Sequence, residues 1–152
     1  MLGLDPTAIE TNQKILKALL ASEYVLATKT RNFHWNVKGL TFMMFHEMFG
    51  EMYTAMNDQA DEIAERVRQL DGCPEGTLEA FKRDSFLSEG ECPCNPDQMV
   101  KCLIDDSDRM VEQMRHAIKV AEENRDYGTM DCITKWMELH EKQLYFLRAS
   151  CG

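Results

Sequence analysis

The sequence contains few of the residues that interrupt helices. Of its 152 residues only 8 are Gly and 4 are Pro, and neither type occurs between Ala8 and Asn36. No uninterrupted apolar segment approaches the roughly 18 residues that a membrane-spanning helix needs. The segment from Met1 to Asn12 has no basic start followed by an apolar run, so a secretion signal is not expected. These absences favour a helical, soluble, cytoplasmic protein without a membrane partner.

Basic residues are also scarce. The chain has 17 Lys and Arg against 26 Asp and Glu, a formal net charge of −9, and none of the basic residues lies within residues 1–13. Such a chain repels phosphate backbones and attracts cations. Its six cysteines do not form two matched CxxC pairs, so a zinc ribbon or thioredoxin motif is not indicated. A thiol-redox function is an alternative interpretation that would use Cys73, Cys92, Cys94, Cys102, Cys132 and Cys151.

Apolar residues recur at intervals of three, four and seven residues in four long segments of the chain. We expect these segments to be helices, with Thr41, Asn95 and Thr129 as caps and Gly39 as a terminating glycine. The predicted helices cover residues 8–36, 41–70, 95–124 and 129–148.

The second and third long helices are separated by a long connection. Gly72, Pro74 and Gly76 interrupt the helical pattern at its start, and a short helix is expected over residues 78–83. Two helix pairs joined by one long connection have the topology of a ferritin-like four-helix bundle. Because there is no repeat and no change of composition, we predict a single all-α domain over residues 1–152.

Two histidines and two carboxylates form a candidate metal site. His34 lies near the end of the first helix and His46 in the first turns of the second, both among aromatic and apolar residues. Asp61 and Glu65 are four residues apart, so their side chains share one helix face. The ordinary alternatives are core histidines bonded to carbonyl groups and a solvated carboxylate pair. A plain helical interaction module would need no metal at these residues.

A site that uses all four residues requires two copies of the chain. His46 and Asp61 are fifteen positions apart in one helix, a separation of about 22 Å. Antiparallel pairing of two second helices across a twofold axis would bring the histidines of one copy to the carboxylates of the other. Mixed imidazole and carboxylate ligands suit iron, zinc or manganese, and Fe(II) with open coordination positions can be oxidised.

The chain contains His34-Trp35-Asn36, then His46 twelve residues after the first histidine, and Asp61-Glu62-Ile63-Ala64-Glu65-Arg66. Read together, these three motifs resemble the Dps family of miniferritins. The resemblance implies a hollow shell of twelve subunits, in which hydrogen peroxide or oxygen oxidises iron at twofold interfaces and the mineral collects inside. It implies a ferroxidase whose metal ligands and catalytic residues are His34 and His46 of one subunit with Asp61 and Glu65 of its partner. Zinc would be a competitor.

One position departs from the family pattern. Dps proteins usually have an Asp four residues after the second histidine, where this chain has Gly50. Glu47 and Glu51 are turned away from the face of His46. A missing carboxylate predicts weaker iron binding or slower oxidation, and a shell without ferroxidase activity, structural or metal-sequestering, is an alternative. The glycine also indicates close helix packing or room for another ligand, and the sequence does not decide between these.

The resemblance also bears on pores and on DNA. Acidic residues near the start of the last helix line threefold pores in this family, and Asp126 and Asp131 occupy that region, although acids favour helix N-termini in any case. Many members bind DNA through Lys-rich N-terminal tails, which residues 1–13 do not provide, so direct DNA binding is not favoured. His116 and His140 are single imidazoles without a paired carboxylate pattern, and they stay outside the predicted site.

Overall fold

The computed structural model describes residues 2–93 and 95–151, and this part of the chain forms five helices. Their bounds are α1 Pro6–Asn36, α2 Phe42–Gln69, α3 Leu78–Asp84, α4 Pro96–Glu123 and α5 Tyr127–Ala149. Among the described residues there is no strand, and no helix is long and apolar enough to cross a bilayer. α1 packs along α2 and α4 along α5, while α1 also contacts α4. The predicted all-α bundle with a short helix in its crossover is confirmed.

Local sequence sets the ends of the helices. The carboxylate of Asp5 accepts a hydrogen bond from Thr7 N at 2.9 Å at the start of α1, which satisfies a donor that has no partner within the helix. Asn95 caps α4 in the same way. Gly39 adopts φ +115° between α1 and α2, a conformation that residues with a Cβ rarely adopt. This turn reverses the chain and places the end of α1 beside the start of α2.

The start of α5 differs from the sequence prediction. Its cap is Asp126, not Thr129, because the Asp126 side chain accepts a hydrogen bond from Thr129 N at 3.1 Å. The hydroxyl of Thr129 in turn donates to the same carboxylate. Arg125 precedes the cap with φ +58° and closes the turn from α4. A carboxylate suits this position since it combines hydrogen-bond acceptance with a favourable charge at the helix N-terminus.

The residues expected on the inner faces of the four long helices form the core. Leu16 of α1, Met56 of α2, Met110 of α4 and Ile133 of α5 are each 0 % exposed. Core packing is thus the role of the central methionines, whose flexible side chains fill irregular gaps. Three further residues of the apolar pattern, whose periodicity predicts burial, are only partly buried: Phe42, Ile118 and Met130.

The crossover between α2 and α4 is attached to α1. The rings of Tyr24 and Phe81 stack with their centroids 4.3 Å apart, which joins α1 to α3. Ser22 Oγ accepts a hydrogen bond from Phe86 N at 3.0 Å, so a backbone donor of the connection is satisfied by the bundle. The crossover is therefore packed onto α1, the helix that carries His34.

Candidate metal centre

His34 and His46 face each other in the α1–α2 corner, which we define as residues 34–46. Their rings stack with centroids 3.9 Å apart and an interplanar angle of 14°. His34 Nδ1 lies 2.6 Å from the carbonyl oxygen of His46, and His46 Nδ1 lies 2.7 Å from the carbonyl oxygen of His34. The turn at Gly39 thus brings the two predicted histidine ligands together.

These reciprocal hydrogen bonds determine where the protons lie on both rings. A carbonyl oxygen can only accept, so each Nδ1 carries a proton and donates it. In a neutral imidazole the lone pair then remains on Nε2, where it can bind a metal ion. Metal-binding histidines are usually oriented by such a bond from the second ring nitrogen. The corner therefore offers two Nε2 atoms as a prepared pair of ligands.

Aromatic neighbours restrict the imidazole pair. The ring of Phe42 lies against His46 with centroids 4.8 Å apart, and the ring of Tyr53 lies 5.4 Å from that of His34. Both histidines are half-buried. The packing limits rotation of the rings, while the incomplete burial keeps the pair accessible from the surface.

Gly50 lies against the hydrogen-bonded edge of His34. A Cβ atom added at residue 50 would be 3.0 Å from His34 Cε1 and 3.1 Å from His34 Nδ1. Carbon atoms in comfortable contact are about 3.5–4.0 Å apart. Residue 50 therefore packs closely against the His34 ring and leaves little room for a side chain. Close packing is one of the two explanations of Gly50 that the sequence leaves open.

The candidate carboxylates lie elsewhere on the subunit. Asp61 and Glu65 are exposed on α2, and the helical rise places Asp61 about 22 Å along the helix from His46. Within residues 2–93 and 95–151, no three His, Cys, Asp or Glu side chains are close enough to hold one metal ion. A single subunit thus brings the two histidines together and leaves the two carboxylates apart from them.

Apolar surface accompanies both halves of the candidate site. At the α1–α2 corner, Leu40 is fully exposed, and Trp35 and Met43 are 63 % and 61 % exposed. Such a concentration of exposed apolar side chains is typical of a surface that another molecule covers. Beside Asp61 there is a groove, which we call the Asp61 groove, whose lining includes Leu20, Tyr24, Ala60, Ala64 and Phe81.

Comparisons with known proteins identify the family. A family model described as a ferritin-like domain matches residues 13–152. The DNA protection during starvation protein 2 of Bacillus anthracis is 32 % identical over 136 residues, which cover 90 % of this chain and 93 % of that protein. The crystal structure of a Dps protein from Vibrio cholerae O1 superposes with a TM-score of 0.93 at 28 % identity, covering 98 % of this chain and 94 % of that one. The chain belongs to the Dps family.

One further Dps structure and one further relative are similar to the chain over most of its length. The structure of a Dps protein from Bacillus brevis has a TM-score of 0.92 at 31 % identity and covers 96 % of this chain and 98 % of that one. An uncharacterized low temperature-induced protein of Nostoc sp. is 36 % identical over 146 residues, covering 92 % of this chain and 81 % of that protein. Membership in the Dps family implies iron storage and protection against oxidative stress.

Asp126, one of the two residues expected at a Dps pore, is engaged inside the subunit. It is 3 % exposed, accepts a hydrogen bond from Asn12 Nδ2 at 2.9 Å, and forms an ion pair with Arg66 at 3.0 Å. Burial alone would raise the pKa of Asp126, but hydrogen bonds from Thr129 and Asn12 and the charge of Arg66 outweigh burial and hold that pKa below its ordinary value. This carboxylate therefore stabilises the start of α5, whereas Asp131 is exposed.

The structure gives His140 a carboxylate partner that sequence analysis does not detect. His140 Nε2 lies 2.7 Å and 3.0 Å from the two carboxylate oxygens of Glu23, and both side chains are 0 % exposed. Gln59 Nε2 donates to the same carboxylate and to the carbonyl oxygen of Trp136, at 3.2 Å each. The Glu23–His140 pair joins α1 to α5 across 117 sequence positions, so no local spacing reveals it.

The cysteines bear on the thiol-redox alternative. Cys102 and Cys132 are partly buried, and burial raises the pKa of both thiols. Reactive cysteines usually show the opposite, a lowered pKa that favours the thiolate. These two thiols therefore do not suit redox catalysis. Three other cysteines are free and exposed: Cys73, Cys92 and Cys151. Cys94 lies outside the described residues.

Proposed function

We propose that this Dps-family protein is a ferroxidase that oxidises Fe(II) with hydrogen peroxide or oxygen and stores Fe(III) inside a shell of twelve subunits. The observation that carries the proposal is the reciprocally hydrogen-bonded imidazole pair, which leaves two Nε2 atoms to accept a metal ion. His34 and His46 bind the iron from one subunit, and Asp61 and Glu65 bind it from the twofold partner. These four side chains are the proposed metal ligands and catalytic residues.

The donor set suits Fe(II) as a substrate. Two imidazoles and two carboxylates are ligands that iron accepts, and they leave coordination positions for an oxidant. Each Fe(II) gives up one electron, while one hydrogen peroxide takes two electrons and two protons and becomes two water molecules. The charges of Asp61 and Glu65 favour the Fe(III) product over the Fe(II) substrate. Zinc has similar ligand preferences without redox chemistry, so it competes for the site.

Pairing of subunits is the step that completes the proposed site. Antiparallel packing of two α2 helices about a twofold axis would bring the histidine end of each to the carboxylate end of the other. The exposed Trp35, Leu40 and Met43 at the α1–α2 corner supply apolar surface for this contact. The Asp61 groove, with Tyr24 and Phe81 in its lining, supplies apolar surface at the carboxylate end of α2. One interface would therefore cover both surfaces and generate two equivalent sites.

The charge of the chain fits cytoplasmic iron detoxification better than direct DNA binding. A net charge of −9 attracts Fe(II), and Asp131, which is exposed near the start of α5, would add negative charge to a threefold pore. The same charge repels DNA phosphates, and residues 1–13 contain no basic side chain to offset it. We expect no shift of DNA in a gel at low salt without magnesium. A shift under these conditions would contradict this part of the proposal.

The shared site is tested by combining two inactive subunits. One carries His34→Ala and His46→Ala, and the other carries Asp61→Asn and Glu65→Gln. Either variant alone should oxidise Fe(II) with peroxide no faster than buffer does. When the two are co-expressed in equal amounts, an intact site forms wherever an unmodified histidine pair meets an unmodified carboxylate pair, at about a quarter of all positions. We therefore expect about a quarter of the wild-type rate.

Preassembled shells of the two variants, mixed immediately before the assay, are the matched control, and they should remain inactive. Co-expressed shells that have the wild-type mass but no activity above the single variants would contradict a site shared between subunits. A wild-type shell of twelve subunits that binds Fe(II) through His34 without oxidising it would instead support the structural or metal-sequestering alternative.

A further inference from the structure

We propose that Gly50 is a positioning residue for the imidazole pair, and that its lack of a side chain is what keeps the His34 ring in its metal-binding orientation. The inference rests on the proposed function, because it concerns the affinity of the same site for its metal ion. In this view Gly50 makes room for the His34 ring, and the position is more than one that lacks a carboxylate ligand. Three contacts around His34 carry the argument.

The His34 ring is confined by contacts on three sides. One face stacks on the ring of His46 at a centroid distance of 3.9 Å. The Nδ1 atom donates to the carbonyl oxygen of His46 at 2.6 Å. The edge formed by Nδ1 and Cε1 faces Gly50, where an added Cβ would approach these atoms to 3.1 Å and 3.0 Å, while Nε2 would stay 3.8 Å away. Gly50 therefore contacts the edge that orients the ring and leaves the metal-binding atom clear.

The backbone of α2 has little freedom to retreat from such a Cβ. Phe49, the residue before the glycine, is 0 % exposed and packs against the rings of Phe33 and Phe45. The carbonyl oxygen of Gly50 accepts a hydrogen bond from Thr54 Oγ1 at 2.8 Å within the helix. A side chain at residue 50 would thus displace the imidazole by a few tenths of an ångström. That displacement lengthens the Nδ1 hydrogen bond or opens the stack, and either change turns Nε2 away.

Two explanations of Gly50 predict opposite results. If the glycine is only a missing carboxylate ligand, Gly50→Ala should leave metal affinity unchanged and Gly50→Asp should increase it. If the glycine makes room for His34, Gly50→Ala should weaken binding roughly tenfold or more, the range found when groups that orient a ligand are removed. Gly50→Asp introduces the same Cβ, so it should bind no more tightly than the wild-type protein.

The test titrates the assembled protein with Co(II) alone and follows visible absorption, which is independent of iron oxidation. His34→Ala defines the absorption that belongs to the proposed site. Arg115→Ala is the control, because it removes only an exposed ion pair with Glu141 and lies outside the proposed site and the Asp61 groove. Gly50→Ala should retain or raise the thermal midpoint, since alanine is the better helix former, while its Co(II) affinity falls. A crystal structure of the variant should show a longer distance from His34 Nδ1 to the carbonyl oxygen of His46.

The outcomes separate this inference from the proposed function. Wild-type Co(II) absorption that His34→Ala does not reduce would overturn the proposed site itself. If His34→Ala abolishes the absorption but Gly50→Ala binds Co(II) like the wild-type protein, only the role of Gly50 is overturned. Tighter binding by Gly50→Asp than by the wild-type protein would likewise show that the position lacks a ligand and does not position the ring.

Discussion

The α1–α2 corner and the centre of the bundle both contain histidine, but a different ring nitrogen is hydrogen-bonded to the protein in each region. In the corner, His34 and His46 use Nδ1 to donate to backbone carbonyl oxygens and keep Nε2 as an acceptor. In the centre, His140 uses Nε2 to bind Glu23, and its Nδ1 has no hydrogen-bond partner in the described part of the chain. The two histidines of the corner are half-buried, whereas the side chains of the central pair are 0 % exposed.

The comparison teaches that residue type alone does not assign a role to a histidine in this fold. A ring whose Nδ1 donates to a carbonyl group keeps Nε2 available for a metal ion, whereas a ring whose Nε2 binds a buried carboxylate contributes to packing and hydrogen bonding in the core. Variants in the two regions should therefore separate metal binding from stability.

The largest change in stability is expected for His140→Ala. It leaves the Glu23 carboxylate buried without its main partner, which should lower the free energy of unfolding by about 3–5 kcal/mol. Urea denaturation at pH 7 measures this loss. Combining Glu23→Met with His140→Leu should recover most of the stability, because apolar replacement of both partners removes the stranded group. A loss below about 1 kcal/mol for His140→Ala would show that the central pair contributes little.

His34→Ala should show the reverse pattern. Removing one Nε2 ligand is expected to lower Co(II) affinity by about 100-fold or more, since even groups that only orient ligands contribute 10- to 100-fold. The free energy of unfolding should fall by only about 1 kcal/mol, because the ring is half-buried and contributes a small number of hydrogen bonds. The same metal titration and urea denaturation measure both quantities. A stability loss equal to that of His140→Ala would remove the distinction between the two regions.

Asp126 extends the comparison to a buried polar cluster without histidine. Because the folded-state pKa of Asp126 is lowered, its contribution is present above the unfolded-state pKa of about 3.9 and is lost as pH falls through the folded-state pKa. Asp126→Asn removes the charge that pairs with Arg66, so it should lower the free energy of unfolding at pH 7 by about 1 kcal/mol and flatten its decline below about pH 4. Urea midpoints between about pH 2.5 and pH 7 test this. An unchanged acid slope would count against the role of this carboxylate.

The smallest effect is expected for Arg115→Ala, which sets the baseline for the other variants. Arg115 and Glu141 form an ion pair of 3.1 Å whose side chains are 61 % and 43 % exposed. Solvent screens such a pair, so its loss should change the free energy of unfolding by less than about 0.5 kcal/mol. A change as large as that of Asp126→Asn in the same urea assay would mean that exposed contacts matter more here than expected.

The long helices could be predicted because their apolar periodicity is local and continuous, and the burial of Leu16, Met56 and Ile133 follows from it. The cap of α5 was mispredicted because the choice between Thr129 and Asp126 depends on the turn at Arg125, whose positive φ the sequence does not indicate. Helix boundaries are decided by such details of the flanking turn.

The candidate site could be predicted only in part. The proximity of His34 and His46 follows from two helix ends joined by a short turn, but their exchanged carbonyl bonds depend on ring orientations that no spacing specifies. The Glu23–His140 pair joins two helices 117 positions apart, so only tertiary packing reveals it. The close contact at Gly50 likewise becomes visible only when the His34 ring is in place.

The exchanged bonds in the corner have a consequence for local unfolding. Each imidazole is tied to the main chain of the other histidine, so fraying of the last turn of α1 or the first turns of α2 releases both rings at once. The two Nε2 atoms should therefore gain or lose their metal-binding orientation together, as one cooperative unit. A bound cation that prefers the ordered corner would, by mass action, suppress fraying of both helix ends.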